Sequence, residues 1–229
     1  GLAQAMSLIA ENLSAVHEQI DRYAERAGRS SDAVNLIAVA KTKPQEAVVE
    51  ALQAGQMIFG ENRVQESQGK YPDLRADWPN MELHLIGPLQ TNKTKDALEL
   101  FDVIHTVDRP KLVRSIAKES QALGRCPKLL VQVNTGEEEQ KAGVLPGEVE
   151  ALIQFIREEN LPVAGLMCIP PVEDAASGHF AFLKRMADEL DLPWVSMGMS
   201  GDYQTAVELG ATHIRVGSAI FGARPPLKP

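Results

Sequence analysis

The stretch NLIAVAKTKP, residues 35–44, sets a short apolar strand against a lysine at its carboxyl end. Asn35, Ile37, Val39 and Lys41 alternate with Leu36, Ala38 and Ala40, and period-2 geometry aims the ammonium of Lys41 the way Ile37 and Val39 point. That face is expected to be interior. A lysine there pays desolvation, which lowers its pKa and frees a neutral amine to attack a carbonyl, so Lys41 is a candidate for imine chemistry. Taken alone, a strand-end lysine more often snorkels to solvent, and the rest of the chain has to decide between the two.

Working outward, strand-like runs fall near 35–40, 56–59, 82–86, 102–106, 128–133, 163–168, 193–197 and 213–216. An amphipathic helix precedes the first, with Ile9, Leu13, Val16, Ile20 and Tyr23 at spacings of four and three. Helix patterns separate the strands. Over 148–158 Val149, Leu152, Ile153 and Ile156 form one stripe, and 110–123 opens at Pro110 with Asp108 as the expected N-cap. Helices between strands imply parallel pairing through right-handed crossovers. Eight such units in 229 residues fit a (β/α)8 barrel with an extra N-terminal helix, an open doubly wound sheet being the alternative. No linker, low-complexity tract or repeat interrupts the series, so residues 1–229 are expected to form one domain. In a barrel, active sites lie at the carboxyl ends of the strands, where Lys41 sits, and this weakens the snorkelling explanation.

Composition removes other classes. The formal charge of −8 and the lack of a basic block argue against a nucleic-acid surface. No apolar run is long enough to span a bilayer and no signal-peptide series opens the chain, so a cytoplasmic protein is expected. Gly1 and Leu2 read as an added start. Cys126 and Cys168 lack CxxC spacing and the five histidines are scattered, which speaks against a disulfide framework and against a metal site.

The far end supplies the second half of a site. Strand seven runs WVSMG through Met199 into Ser200 and Gly201, and strand eight runs HIRVG into Ser218, so both end in glycine and serine where a helix is expected to start. Such loops present free backbone N–H groups to a phosphate, and the loops after strands seven and eight are the recurring phosphate site of this fold. Each serine alone would read as an ordinary N-cap. In strand eight Arg215 alternates with Ile214 and Val216. If the helices cover those two, Arg215 is interior and needs an acceptor, either a structural carboxylate or the ring nitrogen of a heterocycle. An imine-forming lysine, a phosphate cradle and a buried guanidinium match pyridoxal 5′-phosphate. A sugar-phosphate aldolase would share the first two parts, but it would also need acid/base residues for which Lys43 and Glu61 are weak candidates.

At these residues the chain resembles the pyridoxal phosphate homeostasis protein family, also called the YggS or PROSC family. The resemblance runs through AVAKTKP (38–44), FGENRVQE (59–66), HLIGPLQTNK (84–93), VNTGEEEQKAGV (133–144), GLMCIPP (165–171), SMGMSGDY (196–203) and IRVGSAIFGAR (214–224). It implies a barrel like the N-terminal domain of alanine racemases with the cofactor held as an aldimine on Lys41. Phosphate contacts are implied at Ser200, Gly217 and Ser218, with Met199 leading into that loop. Arg215 is implied as the ring-nitrogen partner and Asn62 as a neighbour of the ring. Ser218 stands where many relatives have threonine, which keeps the hydroxyl.

The resemblance also implies a holder of the cofactor, buffering it and supplying apo-enzymes, over a catalyst. An arginine at the pyridine nitrogen leaves it only the acceptor role and weakens the electron sink. A racemase of this fold needs a second acid/base from an additional C-terminal domain, and with about a dozen residues after strand eight that domain is expected to be absent. The alternative is a slow racemase or lyase working with Lys41 alone. A monomer is expected. Elsewhere, Glu61 and Arg63 are expected to pair at the surface, and His84 reads as a core histidine as readily as a ligand contact. GEEEQKAG reads as a solvated loop that only the resemblance promotes to a gate or partner surface. Met167 and Cys168 read as barrel packing.

Overall fold

The computed structural model describes residues 7–223, so Gly1, Leu2 and Arg224 lie outside the described residues. Eight parallel strands close in sequence order into a barrel. They are β1 (Asn35–Val39), β2 (Ile58–Glu61), β3 (Glu82–Leu85), β4 (Val103–Val107), β5 (Lys128–Gln132), β6 (Val163–Met167), β7 (Trp194–Ser196) and β8 (His213–Val216). Closure is direct: β8 pairs with β1 with Arg215 opposite Ile37. The open-sheet alternative is thereby removed.

The helices are α1 (Leu8–Arg26), α2 (Gln45–Gln53), α3 (Val64–Gln68), α4 (Pro72–Asp77), α5 (Thr94–Leu100), α6 (Pro110–Leu123), α7 (Val149–Glu158), α8 (Ala176–Glu189), α9 (Tyr203–Glu208) and α10 (Ser218–Phe221). The extra helix α1 starts at Ser7, whose hydroxyl accepts from the Ala10 amide at 3.1 Å. It buries Leu13, Val16, Ile20 and Ala24 against α2, α9 and α10, with Ile9 and Tyr23 on the rim of that stripe. Burying each of the three large side chains is worth about 1.5–3 kcal/mol. None of the described helices is long and apolar enough to cross a membrane.

Two sequence expectations shift. β2 lies two residues later than expected, because Gln56 is spent bridging the carbonyls of Leu36 and Ile58, at 2.7 Å each, while the ladder with β3 runs on to Glu61 opposite Leu85. Asp108 does not cap α6. The N-cap is Arg109 in extended conformation, and the Asp108 carboxylate instead accepts from Arg109 Nη1 at 2.9 Å and from the Gly143 amide at 3.0 Å. That second bond ties the charged 136–143 loop to the barrel, although Glu137, Glu139 and Gln140 stay exposed as expected.

The alternation along the strands separates two interiors. Leu36, Ala38, Phe59, Leu83, Leu85, Ile104, Val131, Leu166, Val195, Ile214 and Val216 join the apolar core between strands and helices. The intervening residues face the lumen, which carries the buried polar side chains His84, His105, Gln132, Ser196, His213 and Arg215. Lumens of this fold are ordinarily packed with branched apolar side chains.

Candidate functional site

At the carboxyl ends of the strands a cavity of about 420 Å³ opens, and its walls include Lys41, Asn62, Met199, Ser200, Arg215, Gly217 and Ser218. Every site residue expected from the sequence is therefore brought to one place. A neighbouring recess of about 380 Å³ shares Lys41 and Asn62 and adds Lys43, Arg63 and Glu66. A wider groove of about 700 Å³ on the flank of α6, beside Arg114, Lys118 and Cys126, lies away from these residues.

Lys41 stands just past β1, as the alternation requires, but it is exposed. The protein walls do not desolvate it, which corrects the expectation of a buried amine: β1 ends at Val39 and the chain turns outward at Thr42. That turn is costly. Thr42 has φ +63°, a conformation unfavourable for a β-branched residue. Its amide is held by the Glu66 carboxylate at 2.9 and 3.2 Å. Beneath it, the buried Lys70 Nζ donates to the carbonyls of Ala40 (2.7 Å) and Lys43 (2.8 Å) and meets Glu61 Oε2 at 2.9 Å. The Tyr71 hydroxyl donates to the same Glu61 oxygen at 2.6 Å. Glu61 is therefore fully buried and paired with Lys70, not at the surface with Arg63, and it is too deep to serve as the aldolase acid/base. Burial pushes its carboxyl up, against the pull of Lys70 and Tyr71. Asn62 is held by close approach: a Cβ on Gly87 would lie 2.3 Å from the Asn62 carbonyl oxygen, so only glycine fits there.

The other side of the mouth is built from backbone. The amides of Gly217 and Ala219 both converge on Ser200 Oγ, at 3.2 and 3.3 Å. Neither serine is an N-cap. α9 is capped by Asp202 and α10 by Gly217, and the Asp202 carboxylate accepts from the Met199 amide at 2.8 Å to close the loop. The cap of the helix after Ser200 thus lies two residues later than the sequence suggested. Gly198, at φ +99° and with no room for a Cβ against Ala206, lets the strand turn into this loop.

Arg215 lies between the two sides, 3% exposed and inside the barrel as expected. Nη1 donates to Ser196 Oγ at 2.6 Å and Nη2 to the Cys168 carbonyl at 2.9 Å. Among the described residues no carboxylate pairs with it. Burial lowers its pKa to about 10, so it remains charged at neutral pH. Met167 and Cys168 are fully buried packing, as expected, and His84 is a core histidine bonded to His105. The cavity also includes Val39, Ile86, Gly87, Pro88 and Ile169, which sequence reasoning missed. IGP and CIPP immediately follow β3 and β6, and their position at strand ends was the available signal.

A polar-lumen barrel with an amine, a guanidinium and convergent amides around one mouth defines a cofactor-binding barrel of the racemase type. Residues 12–225 match the family model described as "Alanine racemase, N-terminal domain". The chain is 42% identical to a protein of Vibrio alginolyticus named "Pyridoxal phosphate homeostasis protein", over 96% of this chain and 99% of that one. A protein of the same name from Pseudomonas aeruginosa is 43% identical, covering 96% and 97%. Among solved structures, PipY of Synechococcus elongatus with PLP bound is 38% identical, with a TM-score of 0.82 over 93% of this chain and 100% of that one. An alanine racemase of Clostridium difficile is 14% identical with a TM-score of 0.70, a likeness of fold alone. The chain belongs to the pyridoxal phosphate homeostasis protein family, within the alanine racemase N-terminal fold.

Proposed function

We propose that the chain binds pyridoxal 5′-phosphate and acts in its homeostasis, holding the cofactor and releasing it to apo-enzymes, as a one-domain monomer in the cytoplasm. The residues at the mouth fit the group. Lys41 offers an accessible amine, Ser200, Gly217 and Ser218 offer hydroxyls and amides to a phosphate, and Arg215 is a buried cation without a carboxylate. Asn62 and Met199 border the same space. When bound, the cofactor supplies an aldehyde for a lysine and an electron-withdrawing ring.

The single observation that favours a holder over a catalyst is the titratable content of the cavity. Among its described lining residues only Lys41 and Arg215 carry ionisable side chains. Arg215 has donors alone and stays protonated, so it orients a ring nitrogen and takes no proton from it. Lys41 is left as the one amine on the cavity wall, and among the described lining residues no second acid/base stands opposite it for two-base racemisation. Glu61, Tyr71 and the lumen histidines His84, His105 and His213 are buried, and none of them lines the cavity.

The test is direct. Protein incubated with pyridoxal 5′-phosphate and desalted should absorb in the visible, and borohydride should fix the cofactor on the peptide carrying Lys41. Lys41→Ala should lose both signals. Protein that stays colourless, or turnover of an amino acid that vanishes with Lys41→Ala, would overturn the holder reading.

A further inference from the structure

Three of the five histidines lie in the lumen below the cavity, and no group of metal-holding geometry occurs among the described residues. Two of them continue the bonds of Arg215. Ser196 Oγ, which accepts from Arg215 Nη1, lies 2.9 Å from His105 Nδ1. His105 Nε2 lies 2.9 Å from His84 Nδ1. His84 Nε2 faces Glu82 Oε1 at 3.5 Å, too long for a well-formed hydrogen bond, so the chain ends loosely at a half-exposed carboxylate on the opposite face of the barrel.

The direction of this chain follows from its first member. A guanidinium cannot accept, so Ser196 Oγ accepts and its own hydrogen needs an acceptor. Ser196 is fully buried, and His105 Nδ1 is the remaining partner within reach. Leaving the hydroxyl hydrogen unpaired there would incur a desolvation cost. His105 Nδ1 is then bare and its proton is on Nε2, which donates to His84 Nδ1. His84 in turn carries its proton on Nε2, aimed at Glu82. Burial holds the His105 ring neutral, its pKa well below the ordinary histidine value.

We propose that Ser196, His105 and His84 are positioning residues for Arg215, joined in a one-way hydrogen-bond chain through the lumen that fixes the guanidinium beneath the cofactor ring. Among the described residues Arg215 has no carboxylate to orient it, only the Cys168 carbonyl and this chain to set its plane. The role assigned to Arg215 rests on the function proposed above; the chain itself does not.

Nitrogen NMR on histidine-labelled, cofactor-free protein reads the tautomers. His84 and His105 should both show a protonated Nε2 and a bare Nδ1. Ser196→Ala, which only removes an oxygen, should release His105 into mixed tautomers. In cofactor-loaded protein it should also shift the visible band and weaken retention about ten-fold, the size of one charge-assisted hydrogen bond. Ser196→Thr, which keeps the hydroxyl, should restore both. A protonated Nδ1 on His105 in the wild type would refute the chain. A Ser196→Ala protein with wild-type band and retention would refute the positioning role. If the wild type takes up no cofactor, the Arg215 role falls with the proposed function, while the tautomers still decide whether the chain exists.

Discussion

The two sides of the cavity mouth are held by different physics. On the β1/β2 side, a strained turn carrying Lys41 is clamped by charged side chains: Glu66 on the Thr42 amide, and Lys70 on two carbonyls and Glu61. On the β7/β8 side, two amides and a hydroxyl converge, with no ion pair there among the described residues. An exposed amine has no packing of its own to fix it, so its backbone must be fixed from below. A phosphate-sized anion is met by the backbone itself and needs only small residues and a turn.

The contrast would break most visibly at Lys70. Lys70→Met leaves Glu61 buried without its cation, held only by the Tyr71 hydroxyl, and frees two carbonyls, so the protein should lose about 3–5 kcal/mol of stability, read from urea unfolding. Covalent capture of the cofactor on Lys41 should fall with it even in the fraction still folded. A loss under about 1 kcal/mol would mean the cluster does not clamp the turn.

On the other side, stability should barely change while ligand discrimination does. Ser200→Ala should cost the folded protein less than about 1 kcal/mol, yet narrow the preference for pyridoxal 5′-phosphate over pyridoxal by about ten-fold, measured by equilibrium dialysis of both. Ser218→Thr should leave the preference intact. Equal affinity of the wild type for the two compounds would remove the phosphate site.

The smallest effect tests the strain. Thr42→Gly accepts φ +63° freely and should raise the unfolding free energy slightly, by about 1 kcal/mol or less once the extra freedom of the unfolded chain is counted. Slower reaction of Lys41 with the aldehyde should accompany it, because the looser turn presents the amine less often. A destabilised variant with unchanged reactivity would show that Thr42 is not strained in service of Lys41.

Much of this was legible in the sequence. The strand positions, the α7 stripe and the convergence of Lys41 on the serine loops all followed from period, turn chemistry and strand-end placement. The misses have local causes. Asp108 matched a capping pattern, but its carboxylate is taken by Gly143, which lies 35 residues away. Glu61 looked like a surface charge because its partners Lys70 and Tyr71 sit beyond a short helix that no periodicity announced.

By itself the sequence determined the eight alternating strand and helix units and which residues stand at the strand ends, and it favoured a barrel; the pairing of β8 with β1 is what excluded an open sheet. Only the tertiary structure decided that Lys41 is exposed, because burial depends on where the following turn points. It alone decided that the lumen is polar. His84, His105, Ser196 and Arg215 lie on four different strands, each with neighbours that make it look solitary. A hydrogen-bond chain among them exists only once β8 closes on β1, since it is closure that brings side chains from distant strands within hydrogen-bonding distance.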